Sequence, residues 1–307
     1  MAEVFELGIS SADIRLSGCV CAIGVFDGIH LGHKAIINKA LEDAKARKVP
    51  CVIITFSVDP DEIFKGENFR KIMSNTQRIS ALSETGADKV AVLMFERDMA
   101  CKSPEEFLDA VFSNAAVVAI HVGCDFRFGK AAAGTVADLR KWAAEYDVSV
   151  CAHDLLTFGG VRISSTRIRG LLEDGNVVCA RELLGHPYTL EGNVVRGREA
   201  GREMGIRTAN LKIPTNMRVL GSGVYAAYAV LDKKRYKAAV SVGISPTFED
   251  IAESNIEAHI LDFDGDIYGK ELVLEFIDYI RPMQRFDSVD RLVATIKHDI
   301  SYVKKSL

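Results

Sequence analysis

Gly24-Val-Phe-Asp-Gly-Ile-His-Leu-Gly-His33 follows directly on an apolar run, and its reading decides the fold of the first half of the chain. Cys19 to Val25 reads as a buried strand, and Lys34 to Lys48 reads as a helix with apolar residues at helical spacing. The junction between them carries glycines and two histidines three apart, His30 and His33. Backbone N–H groups at a helix start point outward without partners, and the helix dipole favours negative charge there. Imidazoles held at that spot donate to phosphate oxygens. The pattern predicts a nucleoside triphosphate site in which the histidines hold the phosphates that leave. A Gly-rich turn after a strand is also the ordinary form of a tight turn; the strand–turn–helix setting is what favours the phosphate reading.

Working outward, apolar runs alternate with helical segments. Pro50 to Phe56, Asp88 to Phe95, Val117 to Gly123 and Val148 to Ala152 read as strands. Asn75 to Thr85 and Val136 to Tyr146, with the single tryptophan Trp142, read as helices. Ser103-Pro-Glu-Glu106 reads as a capped helix start with proline at its first position. This alternation predicts a parallel sheet flanked by helices, with ligands at the carboxyl ends of the strands. His30, Thr55-Phe56 and Gly123-Cys-Asp125 all fall at such ends.

Arg162-Ile-Ser-Ser-Thr-Arg-Ile-Arg169 opens a further helix after Gly159-Gly160. Hydroxyls that cap a helix and arginine forks that match phosphate oxygens make it a second anion-binding element. The alternative is a plain N-cap with arginines on a solvated face. Both elements belong to one predicted domain and can converge on one triphosphate.

The pattern changes near Gly185-His-Pro187. Leu190 to Val195, Val224 to Leu231, Lys237 to Val242, Ile256 to Phe263 and Glu271 to Tyr279 read as strands with turns between them, and Ser288 to Val303 reads as a closing helix. An antiparallel barrel or sandwich follows. The boundary is placed at 185/186.

The chain has 307 residues, enough for about two domains, of which 48% are hydrophobic and 26% charged. A net charge of -4 and a pI near 6.0 give no support to general nucleic-acid binding. No apolar stretch approaches the ~18 residues of a membrane span. Met1-Ala-Glu-Val-Phe-Glu is acidic where a signal peptide is basic. None of the seven cysteines forms a C-x-x-C pair, and Cys21, Cys51, Cys124 and Cys151 lie in or beside apolar runs. Buried reduced thiols and a cytoplasmic location are expected. Metal ligation by these cysteines is not expected, since no histidine stands at ligand spacing from them.

The 24–33 and 163–169 stretches resemble the two signatures of the nucleotidyltransferase superfamily, in particular the adenylyltransferase half of bifunctional riboflavin kinase/FAD synthetases. Gly123-Cys-Asp-Phe-Arg-Phe-Gly129 is similar to that family's third motif. Gly192-Asn-Val-Val-Arg-Gly197, Gly201-Arg-Glu-Met-Gly205 and Thr208-Ala-Asn210 resemble the riboflavin kinase phosphate loop, and Ser241 to Thr247, Ile256 to Asp262, Asp266 to Gly269 and Ile280 to Pro282 resemble its later segments.

The resemblance runs from near residue 18 to the C-terminus. It implies a Rossmann-like nucleotidyltransferase α/β domain (1–185) followed by a small antiparallel β-barrel with a C-terminal helix (186–307). It implies two reactions: riboflavin and ATP give FMN, and FMN and ATP give FAD with release of pyrophosphate. Riboflavin, FMN and ATP are then the small-molecule partners, with Mg²⁺ as cofactor.

By the same resemblance His30 and His33 are catalytic in adenylyl transfer. Gly24, Phe26, Asp27, Gly28, Arg162, Ser165, Thr166 and Arg169 bind ATP with them, and Asp125, Phe126 and Phe128 form the flavin side. In the kinase Glu257 is the base, Gly197, Gly201 and Arg202 shape the phosphate loop, Thr208 and Asn210 hold Mg²⁺–ATP, and Arg281 contacts flavin.

Two positions depart from the family pattern. Arg207 stands where proline usually precedes Thr-Ala-Asn, which motivates the alternative of a monofunctional FMN adenylyltransferase with a flavin-binding, kinase-impaired barrel. Asp59 stands where the family more often has Pro-His-Pro or Pro-Asn-Pro, and it brings negative charge toward the triphosphate site unless it faces Mg²⁺ or solvent.

Overall fold

A computed structural model describes residues 1–8, 18–112, 117–197, 207–244 and 254–307. The chain divides into two compact units, Met1–Ser165 and Thr166–Leu307. The first contains β1 (Glu3–Leu7), β2 (Val20–Ile23), α1 (Leu31–Arg47), β3 (Cys51–Phe56), α2 (Pro60–Lys65), α3 (Asn75–Ser83), β4 (Lys89–Leu93), α4 (Arg97–Ala100), α5 (Pro104–Phe112), β5 (Ala119–Gly123), α6 (Val136–Glu145), β6 (Ser149–His153), β7 (Thr157–Phe158) and β8 (Val161–Arg162). Its strands form one parallel sheet in the order β1-β4-β3-β2-β5-β6, with β7 and β8 as a separate hairpin.

β2 and β3 are buried at every position. That is why they read as unbroken apolar runs rather than alternating ones. One face of the sheet packs on α5 and α6 through residues such as Phe107, Leu139 and Trp142. The other packs on α1 and α3 through Ile37, Ala40 and Leu82. From β2 the chain winds one way through β3 and β4 and then returns to place β5 on β2's other side. The reversal puts a switch point at the carboxyl ends of β2 and β5, where such sheets bind ligands. The edge strand β1 had no signal in the sequence reading; five residues with two buried side chains are too few for a period to show.

α7 (Ser165–Glu173) begins at the last residue of the first unit. In the second unit α8 (Val177–Leu184) leads into β9 (Tyr188–Val195), β10 (Ala209–Lys212), β11 (Gly223–Leu231), β12 (Lys234–Ile244), β13 (Ser254–Ile260), β14 (Glu271–Arg281) and α9 (Val289–Ser306). The six strands close into an antiparallel barrel in the order β10-β13-β12-β11-β14-β9, which settles the barrel-or-sandwich choice. Tyr188, Leu190, Tyr225, Val240, Leu274 and Phe276 are buried in it. α9 is capped by Ser288 and lays Val303 against Ala226, Ala239 and Leu261.

Candidate active sites

The loop after β2 is held in an unusual backbone. Phe26 (φ 60°) and Ile29 (φ 38°) lie in the left-handed region with Gly28 (φ 81°). For side-chain-bearing residues this costs about 1–3 kcal/mol each and persists only where surroundings fix it. Here Phe26 is buried and meets the His33 ring edge-on, with centroids 5.3 Å apart. Gly24 gives that ring room: a Cβ there would lie 3.0 Å from Phe26.

His30 is the N-cap of α1, and its Nδ1 accepts from the His33 N–H at 3.2 Å. The two imidazoles stack with centroids 3.6 Å apart and planes 18° apart. A Cβ on Gly32 would sit 3.1 Å from the His30 ring. Nδ1 of His33 is buried without a hydrogen-bond partner. Burial, and secondarily the His30 imidazole, push the His33 pKa well below its usual value. His33 is therefore neutral at pH 7, and an arriving anion would raise its affinity for a proton.

Asp27 is an anchor. Its buried carboxylate accepts from the N–H groups of Ile72, at 3.0 and 3.2 Å, and Met73, at 3.1 Å. Its carbonyl accepts from Ser165 Oγ at 2.9 Å. Ser165 thus joins the loop from a distance of 138 residues. Thr166 is exposed and Arg169 half-buried on α7, and both belong to the second unit.

Beside this loop lies a residue that the motif reading missed. Arg78, on α3, is 2% exposed. It donates to the Val25 carbonyl (2.6 Å), Thr55 Oγ1 (3.0 Å) and the Phe56 carbonyl (2.7 Å), tying together the carboxyl ends of β2 and β3. Burial pulls its pKa down, while Asp59, Asp27 and Glu62 act in the opposite direction. Asp59 caps α2 in a capping box with Glu62, and Lys71 bonds both Glu62 carboxylate oxygens at 2.8 and 2.9 Å. The charge of Asp59 is thus spent on its own helix and within a buried ionic cluster. A lone arginine inside a helical period carries no motif, so this cluster had no sequence signal.

At the end of β5, Asp125 pairs with Arg162, which stands at the end of β8. Phe126 is half-buried and stacks on Phe128 at 5.5 Å, while Phe128 is buried against Phe107. Phe128 is part of the core, and Phe126 offers the exposed face. Cys124, expected to be buried, is exposed, because β5 ends at Gly123 and the cysteine falls in the turn. All seven cysteines are free thiols. The structure also brings Asp43, His121 and Cys151 together, with ligand atoms within 4.8 Å of one another. The sequence reading expected no such grouping, since these residues come from three separate elements.

In the barrel, two cavities share Thr208. The larger, about 360 Å³, is lined by Gly197, Asn210, Asp266 and Tyr268 among others; the smaller, about 260 Å³, by Glu257, His259, Arg281 and Phe286. Thr208 Oγ1 donates to Glu257 Oε2 at 3.3 Å, and Asn255 Nδ2 donates to Glu257 Oε1 at 2.7 Å. Asn210 and Glu257 are register partners on β10 and β13. The Asn210 amide fills the space a Cβ would take at Gly197, 2.1 Å from Nδ2.

Arg281 makes a bidentate pair with the buried Asp299 of α9, at 2.8 to 3.1 Å, so its guanidinium is committed to that carboxylate. Arg207 pairs its guanidinium with the exposed Asp264, and both residues line the larger cavity together with Thr208 and Asn210. Gly201 and Arg202 lie outside the described residues. Asn255 and Asp299 were missed because only register and helix packing bring them to the site.

Sheet, switch-point loop and twin-chambered barrel define a two-domain ATP-dependent transferase. The FAD synthetase family matches residues 13–167 and the riboflavin kinase family residues 184–307. The bifunctional riboflavin kinase/FMN adenylyltransferase of Escherichia coli K12 is 35% identical over 285 residues, spanning 92% of this chain and 90% of that protein. The one from Listeria monocytogenes is 32% identical, spanning 91% and 90%. The chain belongs to the bifunctional riboflavin kinase/FMN adenylyltransferase family. A solved structure from Streptococcus pneumoniae, named a macrolide-efflux protein, is 32% identical over 97% of this chain and 98% of its own, with a TM-score of 0.87. Among the described residues here, no helix is long and apolar enough to cross a membrane.

Proposed function

We infer that the barrel phosphorylates riboflavin to FMN and that the parallel-sheet domain then adenylylates FMN to FAD. The functional boundary falls at 185/186, and the enzyme works in the cytoplasm, a reading supported by its free thiols. Two cavities meeting at Thr208, beside Glu257, carry the kinase reading. The larger suits the nucleotide and the smaller the flavin, so the ribityl 5′-hydroxyl reaches the γ-phosphate where the chambers join. Glu257 takes the hydroxyl proton. Phosphoryl transfer needs positioning and charge stabilisation more than covalent help.

Thr208 Oγ1 and the Asn210 amide oxygen are hard donors facing the larger cavity, and they suit Mg²⁺. When bound, the ion supplies charge neutralisation on the ATP phosphates. Arg281, fixed by Asp299, walls the flavin chamber.

In the first domain an FMN phosphate oxygen attacks the α-phosphate of ATP and the α–β bridging bond breaks, so no nucleophilic side chain is needed. His30, His33 and the α1 N-terminus stabilise charge growing on the departing diphosphate. Asp125 and Phe126 serve the flavin side. Both family matches disfavour the monofunctional reading. Chromatography of riboflavin, ATP and Mg²⁺ over time tests the scheme: FMN should rise first, with ADP, and FAD should follow, with pyrophosphate. FMN accumulation with no FAD, or no FMN at all, would refute it.

A further inference from the structure

We propose that Asp43 of α1, His121 of β5 and Cys151 of β6 bind a borderline-soft divalent cation of the Zn²⁺ class, clamping α1 onto the outer strands of the parallel sheet. His121 and Cys151 are direct register partners on β5 and β6. Their side chains share the sheet face that α1 covers, and Asp43 reaches down from α1 to meet them. His121 Nε2 lies 3.1 Å from Asp43 Oδ2, and the three ligand atoms lie within 4.8 Å of one another.

Metal–ligand bonds of about 2.0–2.3 Å in a tetrahedron put ligand atoms about 3.4–3.8 Å apart. The Asp43–His121 pair already stands at that scale, and the widest separation closes with side-chain rotation of about 1 Å. An N, O, S donor set selects Zn²⁺-like ions and disfavours Mg²⁺, which takes oxygen alone.

The supporting contacts are those a metal site requires. His121 is 3% exposed, and its Nδ1 is held by His153 Nε2 at 2.9 Å, which leaves Nε2 directed at the cluster. Asp43 Oδ1 is held by Arg47 Nε at 2.8 Å, leaving Oδ2 for the ion. Orientation of a ligand imidazole through its second nitrogen, and of a ligand carboxylate through its second oxygen, is the usual outer layer of such sites. None of these residues is used in either transfer reaction.

The test strips the full-length protein with a chelator and titrates it with Co²⁺ as a spectroscopic probe. The expected result is one Co²⁺ per chain, with a near-ultraviolet thiolate-to-cobalt charge-transfer band and intense visible bands of a four-coordinate ion, all displaced by Zn²⁺ and untouched by Mg²⁺. Cys151→Ser and Asp43→Asn should each lose the band while keeping the wild-type circular dichroism spectrum. His153→Ala should retain the band but bind about 10- to 100-fold more weakly, because it removes only the orienting contact. Cys101→Ser and Cys124→Ser, which alter the two exposed thiols, should leave the titration unchanged. Absence of a band in the wild type, its persistence in folded Cys151→Ser, or its loss in Cys124→Ser would overturn the proposal.

Discussion

The two transfer sites are built by different means. At the sheet's switch point the proposed phosphate site is made of backbone and buried charge: a helix N-terminus, a left-handed loop, and a buried arginine that ties two strand ends to that loop. In the barrel the proposed site is made of side chains on and beside strands, where Thr208 and Asn255 each bond Glu257, and Thr208 lines both cavities. In the first, the same contacts that fold the domain position the catalytic groups, so damage there costs stability and rate together. In the second, Thr208, Asn255 and Glu257 sit on a barrel held by ladder hydrogen bonds and a buried core, so loss of one of them should cost rate more than stability.

Glu257→Gln sharpens the contrast most. It removes the proposed base and keeps the shape, and FMN formation should fall about 10²–10⁴-fold while FAD formation from supplied FMN continues unchanged. His33→Ala should do the reverse, lowering adenylyl transfer about 10²–10³-fold with riboflavin phosphorylation intact. Product chromatography reads both, and loss of both reactions from either folded variant would break the two-site division.

Arg78→Met strands the Val25 and Phe56 carbonyls and leaves acidic neighbours buried. It should destabilise the first domain by about 3 kcal/mol in denaturant titration and lower FAD formation with it. A folded, fully active Arg78→Met would show that the floor of the phosphate site does not depend on that charge.

Acid should act on the same region. The folded His33 pKa lies below its unfolded value near ~6.5, so the unfolded chain takes up the proton first and stability falls as pH drops below that value. His33→Asn should flatten that slope in melts across pH. The smallest effect is expected from Arg207→Ala, whose partner Asp264 is exposed: kinase turnover should change by a small fraction of the Glu257→Gln loss.

The difference in construction also explains what could be read from sequence. The 24–33 loop is contiguous, so strand, turn, helix and both imidazoles lie within ten residues and announce themselves. The six-strand sheet followed from buried runs, except for β1, too short to carry a period. The barrel strands were visible as runs, but closure was not, because register pairs such as Asn210 with Glu257 join positions 47 residues apart. The residues named in the barrel site came from resemblance for the same reason. Arg78, Asp299 and the Asp43–His121–Cys151 grouping were invisible because each is defined only by what folding places around it. For Asp59 the sequence left open a charge toward the triphosphate site, toward Mg²⁺ or toward solvent; local capping chemistry decides it, since Asp59 caps its own helix.

The proposed phosphate site is braced in a way that bears on how ATP would arrive there. Asp27 and Arg78 already fasten the 72–73 backbone and the ends of β2 and β3 through bonds that need no ligand. On that side little chain remains to be ordered on docking, so the entropic toll of association is small. Stopped-flow traces of nucleotide capture should then follow a single exponential whose rate climbs linearly with concentration, without the plateau of a slow rearrangement.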